Sequence, residues 1–164
     1  MTTIKTSSKG YNLIKRFEGL ATSAYKCPAG VLTIGYGHTG KDVVKGMVIT
    51  ELYADELLKA DVAKLEHSLI KSLNADEIVV NQNQFDALIS FSYNLGVTRL
   101  VNSTLWRYLC DGKYRMAAGQ FIRWNKCNGK VLQGLTYRRE AEAKLFLEGL
   151  AESHEGNART SIEA

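Results

Sequence analysis

The chain has 164 residues, a net charge of +4, 45% hydrophobic residues and a single proline. This length suits one compact domain with a core of its own, and the composition excludes a disordered chain. The lysines and arginines are scattered, so the mild positive charge predicts no nucleic-acid partner. No apolar run approaches the length of a bilayer span, and we therefore expect no stable membrane insertion.

The cysteines and the N-terminus indicate where the chain is made. Cys27, Cys110 and Cys127 show neither a C-x-x-C motif nor the spacing of metal ligands. We therefore predict no disulfide framework and no metal site, and synthesis in a reducing compartment is the simplest expectation. The N-terminus, MTTIKTSSKGYNLIKR, lacks the apolar segment of a signal peptide. We expect a chain made in the cytoplasm that needs another route to leave it.

The first predicted helix, 8–19, carries a carboxyl group on its apolar face. Glu18 follows Ile14 by four residues, so it belongs to the inward stripe. Partial burial and the helix dipole at this end both favour the protonated carboxyl group, which is the state that a general acid needs. An ordinary ion pair with Lys15 or Arg16 is an equally good interpretation of the same position.

Segment 20–49 predicts a small β-lobe. In VLTIGY the side chains alternate, so Thr33 faces away from Leu32 and Ile34. Thr33 is either an ordinary β-branched strand residue or a hydroxyl group that faces a cleft and holds water or a sugar. Cys27 precedes a turn that contains proline and glycine, and a cysteine there is more often a small buried apolar residue than a reactive thiol.

Helical periodicity dominates the rest of the chain, so the predicted fold class is α+β and mainly helical. A long amphipathic helix, 50–73, is long enough to join the β-lobe to a helical lobe, 80–149. After this lobe the polar, irregular composition predicts a disordered tail, 150–164. Within the helical lobe we predict a buried central helix that Asn81 or Asn83 caps and that ends at Gly96. After it we predict helices at 104–109, 114–124 and 135–149, and a loop at 125–134.

Residues 35–40 have the pattern G-x-G-x-x-G after an apolar strand, which is the dinucleotide-binding fingerprint. That fingerprint needs a helix that opens at the third glycine and a second parallel strand after it. The sequence KDVVKGM follows instead, and Gly46 interrupts any early helix. We therefore predict no nucleotide-binding site here.

Glu18, Cys27 and Thr33, followed by Gly35-Tyr36-Gly37-His38, resemble the active-site segment of the phage lysozyme (endolysin) family, glycoside hydrolase family 24. The similarity continues in NQNQFDALISFSYNLG, NSTLWRYL, Arg123-Trp124 and GLTYRREAEAKLF, and it covers about residues 10–149. Several motifs in the same order make it more specific than any single motif. Most members carry aspartate where this chain has Cys27, so the usual pair of carboxylates is absent.

The resemblance implies a lysozyme-like fold and hydrolysis of the β-1,4 bond between N-acetylmuramic acid and N-acetylglucosamine in peptidoglycan. It implies a monomer without a metal or cofactor. Glu18 would be the proton donor, and Cys27 would act with Thr33 as nucleophile, base or water-positioning group. Because a free thiol is mostly protonated at neutral pH, Cys27 is a poor base unless a cation such as Lys26 lowers its pKa.

The resemblance also implies sugar-binding roles for Thr39, Tyr93, Asn94 and Thr104, although Tyr93 fits core packing equally well. It places His38 behind the site as a structural, ion-pairing residue. In the last helix, Arg138 and Arg139 could contact the wall polymer, but surface ion pairs are the commoner role of such arginines.

Release from the host cytoplasm to the cell wall in the periplasm would depend on a holin, according to the same resemblance. Three other functions stay open. A lytic transglycosylase would use one acid and form an anhydro-sugar. A wall-binding protein could have lost catalysis with its aspartate, and the basic, amphipathic last helix could disrupt membranes by itself.

Overall fold

The structure is a computed structural model that describes the backbone of residues 4–163. The surroundings of residue 149 and the side chains of residues 151–163 lie outside this description. The described residues form a mainly helical α+β fold, as the sequence predicts. In chain order the elements are α1 (Ser8–Glu18), β1 (Ala21–Lys26), β2 (Leu32–Gly35), β3 (His38–Thr39), α2 (Glu51–Ala75), α3 (Gln82–Leu95), α4 (Val97–Val101), α5 (Thr104–Cys110), α6 (Tyr114–Ala118), a 3-10 helix (Phe121–Trp124), β4 (Lys126–Cys127), β5 (Lys130–Val131) and α7 (Gln133–Glu163).

The β-lobe is one antiparallel sheet in the order β1-β2-β3. Thr33 of β2 pairs with Tyr25 of β1 on one side and with Thr39 of β3 on the other. Directly opposite residues of an antiparallel pair share a face of the sheet, so these three side chains form a row across it. The segment 35–40 lies in this hairpin rather than in a turn from strand to helix, which confirms that it is not a dinucleotide-binding loop.

α2 joins the two lobes. Its 25 residues span about 37 Å. The side chain of Thr50 caps the helix by accepting a hydrogen bond from the amide of Tyr53 at 3.1 Å. Leu58, Val62 and Leu69 are buried on one face and belong to the main hydrophobic core, so the apolar stripe read from the sequence is the packing face of this helix.

α3 is the central helix of the helical lobe. All ten residues from 83 to 92 are buried, as expected of a helix that is surrounded by others. Asn81 and Gln84 form a capping box, in which each side chain accepts from the backbone amide of the other residue, at 2.9 and 3.0 Å. The ring of Phe91 packs edge-on against that of Phe121, with centroids 5.8 Å apart.

α3 also fixes the start of α1. Ser7 occupies the N-cap position, but its side chain accepts no hydrogen bond from the helix. Its hydroxyl group instead donates to the buried side chain of Asp86, which also accepts from the Ser7 amide at 3.0 Å. A carboxylate of the central helix thus replaces the local cap.

Three short stretches differ from the sequence-based expectation. The helix predicted at 114–124 ends at Ala118 and continues as the 3-10 helix after Gly119, because glycine is a weak helix former. The predicted loop 125–134 contains the hairpin β4–β5, whose turn residues Asn128 and Gly129 have φ values of 52° and 80°. Positive φ at both central residues is typical of a type I′ hairpin turn. The third difference is α4, a short helix directly after Gly96 that was not predicted from the sequence.

The last helix continues beyond the predicted end at residue 149. The backbone of α7 is helical over 31 residues, to Glu163. The side chains that would show what holds its final turns lie outside the described residues, so disorder of 150–164 in solution stays a prediction. None of the described helices, α7 included, is both long and apolar enough to cross a membrane.

His38 connects the β-lobe to α2. Its Nδ1 atom lies 2.7 Å from Oδ2 of Asp61 on α2, and its Nε2 atom lies 2.9 Å from Oδ2 of Asp42. The expectation that His38 is a structural, ion-pairing residue is therefore confirmed. Burial lowers the pKa of His38, but the hydrogen bonds to Asp61 and Asp42 raise it by more, so the pKa lies above its ordinary value of 6.5.

We expect these contacts to make the stability of the fold depend on pH. Because folded His38 binds its proton more tightly than unfolded His38, the contribution is complete below about pH 6.5 and is lost as the pH rises through the higher pKa of the folded state. Urea unfolding from about pH 5 to about pH 9 would measure this decline in the free energy of unfolding. His38→Asn should flatten the profile, whereas replacing the exposed His67 on α2 by asparagine should not. An unchanged profile in His38→Asn would contradict the assignment.

Candidate active site

Glu18 lies in the last turn of α1, directly before Gly19, and its side chain is 21% exposed. Its Oε2 atom lies 2.7 Å from Nη1 of Arg138 on α7. An ion pair was one of the two interpretations of this position, but neither predicted partner takes part. Lys15 pairs with Asp55 at 2.9 Å, so the acid is held by the far end of the chain rather than by its own helix.

The other oxygen of Glu18 faces the turn between β2 and β3. A Cβ atom built on Gly37 would lie 2.7 Å from Oε1 of Glu18, which is closer than real Cβ contacts. Gly37 also has a φ of 82°, a conformation that side chains disfavour. The β-lobe therefore approaches the acid this closely only because residue 37 has no side chain.

Tyr93 ties the same turn to α3. Its hydroxyl group donates to the carbonyl of Tyr36 at 2.5 Å. Burial raises the pKa of Tyr93, and the negative charges of Asp61 and Glu18 add to the effect, so the hydroxyl group stays a donor. This contact fits the packing interpretation of Tyr93. Asn94 differs, because its side-chain Oδ1 atom is buried and accepts no hydrogen bond from the described residues.

Cys27 and Thr33 lie together where β1 ends and β2 begins. The backbone amides of Val31 and Ala29 hold the pKa of the Cys27 thiol below its ordinary value. Thr33 is 4% exposed and its Oγ1 atom donates to the carbonyl of Val31 at 2.9 Å. The cation suggested by the sequence, Lys26, is not the cause of the lowered pKa.

β2 and the turn that follows it carry both halves of the candidate site. Thr33 lies on β2, and Gly37, which contacts Glu18, follows four residues later. Since an extended chain rises about 3.3 Å per residue, the two Cα atoms are at most about 13 Å apart. The fold thus brings Glu18, Cys27 and Thr33 to one small sheet.

Other candidate residues lie around this sheet. Thr39 is exposed and stands in the row with Thr33. Tyr25 completes that row and is 44% exposed. It was not predicted from the sequence, although it lies only two residues before Cys27. Thr104 is exposed at the start of α5, and its hydroxyl accepts from Arg107 at 3.3 Å. None of the described contacts connects Thr104 to Glu18, so its role in sugar binding stays a prediction.

Arg138 and Arg139 are buried, with 3% and 0% of their surface exposed. The expectation that they contact the wall polymer or form surface ion pairs is therefore wrong. Both pair with Glu142, which is fully buried on the same helix. Burial raises the pKa of Glu142 above its ordinary value, against the opposite effect of the two guanidinium groups. The sequence pattern R-R-x-x-E puts these three charges on one helix face, and it could have indicated that both arginines pair with Glu142.

Comparison with known proteins identifies the family of the chain. Residues 15–142 match the phage lysozyme family. The chain is 50% identical over 145 residues to the endolysin of Bacillus phage B103, with 87% of this chain and 54% of that protein covered. It is 42% identical over 144 residues to the endolysin of Acyrthosiphon pisum secondary endosymbiont phage 1, with 85% and 96% covered.

A solved structure shows the same fold. The muramidase domain of SpmX from Asticaccaulis excentricus superposes with a TM-score of 0.77 at 37% identity, with 87% of this chain and 97% of that chain covered. The chain spans about half the length of the Bacillus phage relative, 54%, and nearly all of the endosymbiont phage relative, 96%. The family match covers most of the chain, residues 15–142, and the chain therefore belongs to the phage lysozyme family.

Proposed function

We propose that this chain is a muramidase that hydrolyses the β-1,4 bond between N-acetylmuramic acid and N-acetylglucosamine in peptidoglycan. The observation that carries the proposal is the placement of Glu18, Cys27 and Thr33 at one sheet, with the acid held in place by Arg138. Membership of the phage lysozyme family and the similarity to a muramidase domain support it.

In this mechanism Glu18 donates a proton to the bridging oxygen as the glycosidic bond breaks. The bond electrons go to that oxygen, and positive charge develops at the anomeric carbon. The carboxylate that Glu18 becomes already faces Arg138 Nη1 at 2.7 Å. This preorganised contact stabilises the new negative charge without reorganisation during the reaction.

Cys27 would act on the other side of the anomeric carbon, in one of two ways. As a thiolate it would form a covalent bond to that carbon, and water would later replace the sulfur. Alternatively it would take a proton from a water molecule that Thr33 orients. The lowered pKa of Cys27 favours the thiolate that both routes need.

Substrate contacts extend the proposal to four further residues. Asn94 follows Tyr93 in the last turn of α3, and the support for a sugar contact there is the family resemblance. Thr39 stands beside Thr33 and would contact the same sugar. Tyr93 would contribute through its ring, because its hydroxyl group is committed to Tyr36. For Thr104 the support is the family resemblance alone.

The proposed enzyme is made in the host cytoplasm, leaves it through a holin and acts on the cell wall as a monomer. Digestion of purified peptidoglycan, followed by mass spectrometry of the fragments, tests the reaction itself. We expect fragments that end in a reducing N-acetylmuramic acid. Anhydro-sugar ends, lighter by one water molecule, would show a lytic transglycosylase, and binding to the wall without any fragments would show a non-catalytic protein.

Alkylation of Cys27 is expected to lower wall hydrolysis at least about tenfold, because it removes the proposed nucleophile or base. Cys27, Cys110 and Cys127 are all free thiols, so the experiment uses the Cys110→Ser/Cys127→Ser variant, in which iodoacetamide can modify Cys27 only. A Cys27→Asp variant of this background is the matched control and should be insensitive to the reagent. Full activity of protein that mass spectrometry shows to be alkylated at Cys27 would contradict the prediction.

A further inference from the structure

Arg138 holds the candidate acid with one nitrogen atom and is itself held by the other two. Its Nη1 atom donates to Glu18 Oε2 at 2.7 Å, its Nη2 atom to the carbonyl of Ser90 at 3.1 Å, and its Nε atom to Glu142 Oε2 at 3.3 Å. These acceptors lie on α1, α3 and α7. Because the guanidinium group is planar and rigid, it cannot turn away from Glu18 without disturbing the other two contacts.

Glu142 is the centre of this arrangement. It is fully buried, and its Oε2 atom also accepts from Ser90 Oγ at 2.6 Å and from Arg139 Nη2 at 3.0 Å. Its Oε1 atom lies 2.7 Å from Arg139 Nε. Glu142 thus contacts both buried guanidinium groups, whereas Glu18 contacts that of Arg138.

Stability alone does not account for these buried charges. Taking a carboxylate and two guanidinium groups out of water is costly, and apolar residues of similar volume often replace buried ion pairs without loss of stability. Apolar side chains would therefore hold α7 against α3 equally well. They would not present a fixed guanidinium group to Glu18.

We propose that Glu142 is a positioning residue for the acid: by fixing Arg138 it holds Oε2 of Glu18 and leaves Oε1 as the oxygen that carries the transferable proton. A guanidinium group has donors only, so the oxygen that contacts it must be an acceptor. The proton is then on Oε1, on the side that faces Gly37. This inference rests on the proposed function, since Glu142 acts through Glu18.

The Arg139→Met/Glu142→Met variant tests it, because it removes both members of one buried pair and leaves Arg138 paired with Glu18. We expect a folded protein whose kcat on soluble wall fragments is lower by about 10- to 100-fold, since a small misplacement of a reacting group has effects of this size. KM should stay unchanged, because the substrate contacts are left intact. Leu145→Met, at another buried position of α7, is the matched control and should keep the native kcat.

A folded double variant with the native kcat would overturn the proposal, and so would a loss confined to KM. Should the double variant not fold, Ser90→Ala removes only the hydroxyl group that donates to Glu142. A lower kcat at unchanged KM is then expected, and an unchanged kcat would overturn the proposal. A native chain that releases no wall fragments would contradict the proposed function instead, so the two failures are distinguishable.

Discussion

Replacing Glu18 by glutamine is expected to slow wall hydrolysis by about 10²- to 10⁴-fold, the usual contribution of a general acid. Glutamine has nearly the same shape, and its carbonyl oxygen can still accept from Arg138 Nη1, which lies 2.7 Å from the native carboxylate. What the variant lacks is an acidic proton for the bridging oxygen. Turbidity clearing of cell walls, combined with mass analysis of released fragments, measures the loss.

The matched control is Glu140→Gln, which makes the same chemical change at an exposed position of α7. It should keep native activity, and thermal unfolding should show both variants folded. Binding to walls without clearing, by the native chain and the variant alike, would favour a non-catalytic wall-binding protein. Clearing of whole cells, but not of purified walls, by the Glu18→Gln variant would show that another activity, such as membrane disruption by the last helix, lyses the cells.

Replacing Gly37 by alanine is expected to lower kcat by about 100-fold, because the new methyl group would occupy the space of Glu18 Oε1, the oxygen proposed to carry the transferable proton. The Cβ atom would lie 2.7 Å from Glu18 Oε1, so either the carboxyl group or the β2–β3 turn must move. Oε2 is held by Arg138, which leaves the acid little freedom to give way. Steady-state kinetics on soluble wall fragments would measure the change.

Gly46→Ala separates this collision from backbone strain. Gly46 has a φ of 84°, almost the same as the 82° of Gly37. Apart from its chain neighbours, none of the described residues has an atom within 4 Å of the position that a Cβ atom would take there. Both variants should lose about 1–2 kcal/mol of stability, because alanine disfavours the left-handed backbone conformation that both glycines adopt. Only Gly37→Ala should lose activity, and an equal loss in both would mean that strain, rather than contact with Glu18, is responsible.

The sequence predicts most helices of this fold because their apolar periodicity is long and their caps are local. α2 and α3 are examples: Thr50 and Asn81 accept from amides only three residues away. Short helices and strands were harder to predict from the sequence, since a few residues show little hydrophobic periodicity. The β4–β5 hairpin was missed even though Asn128-Gly129 is a favoured hairpin dipeptide, because its strands have two residues each.

In the candidate site, too, local patterns predicted some residues, whereas contacts between distant parts of the chain were missed. The alternation of β2 placed Thr33 on its face of the sheet, and the family spacing linked it with Cys27. The partner of Glu18 was not predictable, because Arg138 lies 120 residues away. Their contact depends on how α7 packs between α1 and α3, which local patterns do not determine. The same reason explains why two arginines of an amphipathic helix were expected at the surface.

The separation of 120 residues between Glu18 and Arg138 has a consequence for protein synthesis. The ribosome makes the chain from the N-terminus, so Glu18, the β-lobe and the central helix all emerge before α7 begins at Gln133. Until the final helix docks, the acid has no guanidinium group beside it, and α3 has no cover over Ser90. A nascent chain that has not yet reached α7 therefore already has the sheet that carries Cys27 and Thr33 but lacks the contact that orients Glu18, and the candidate site is assembled only when α7 docks.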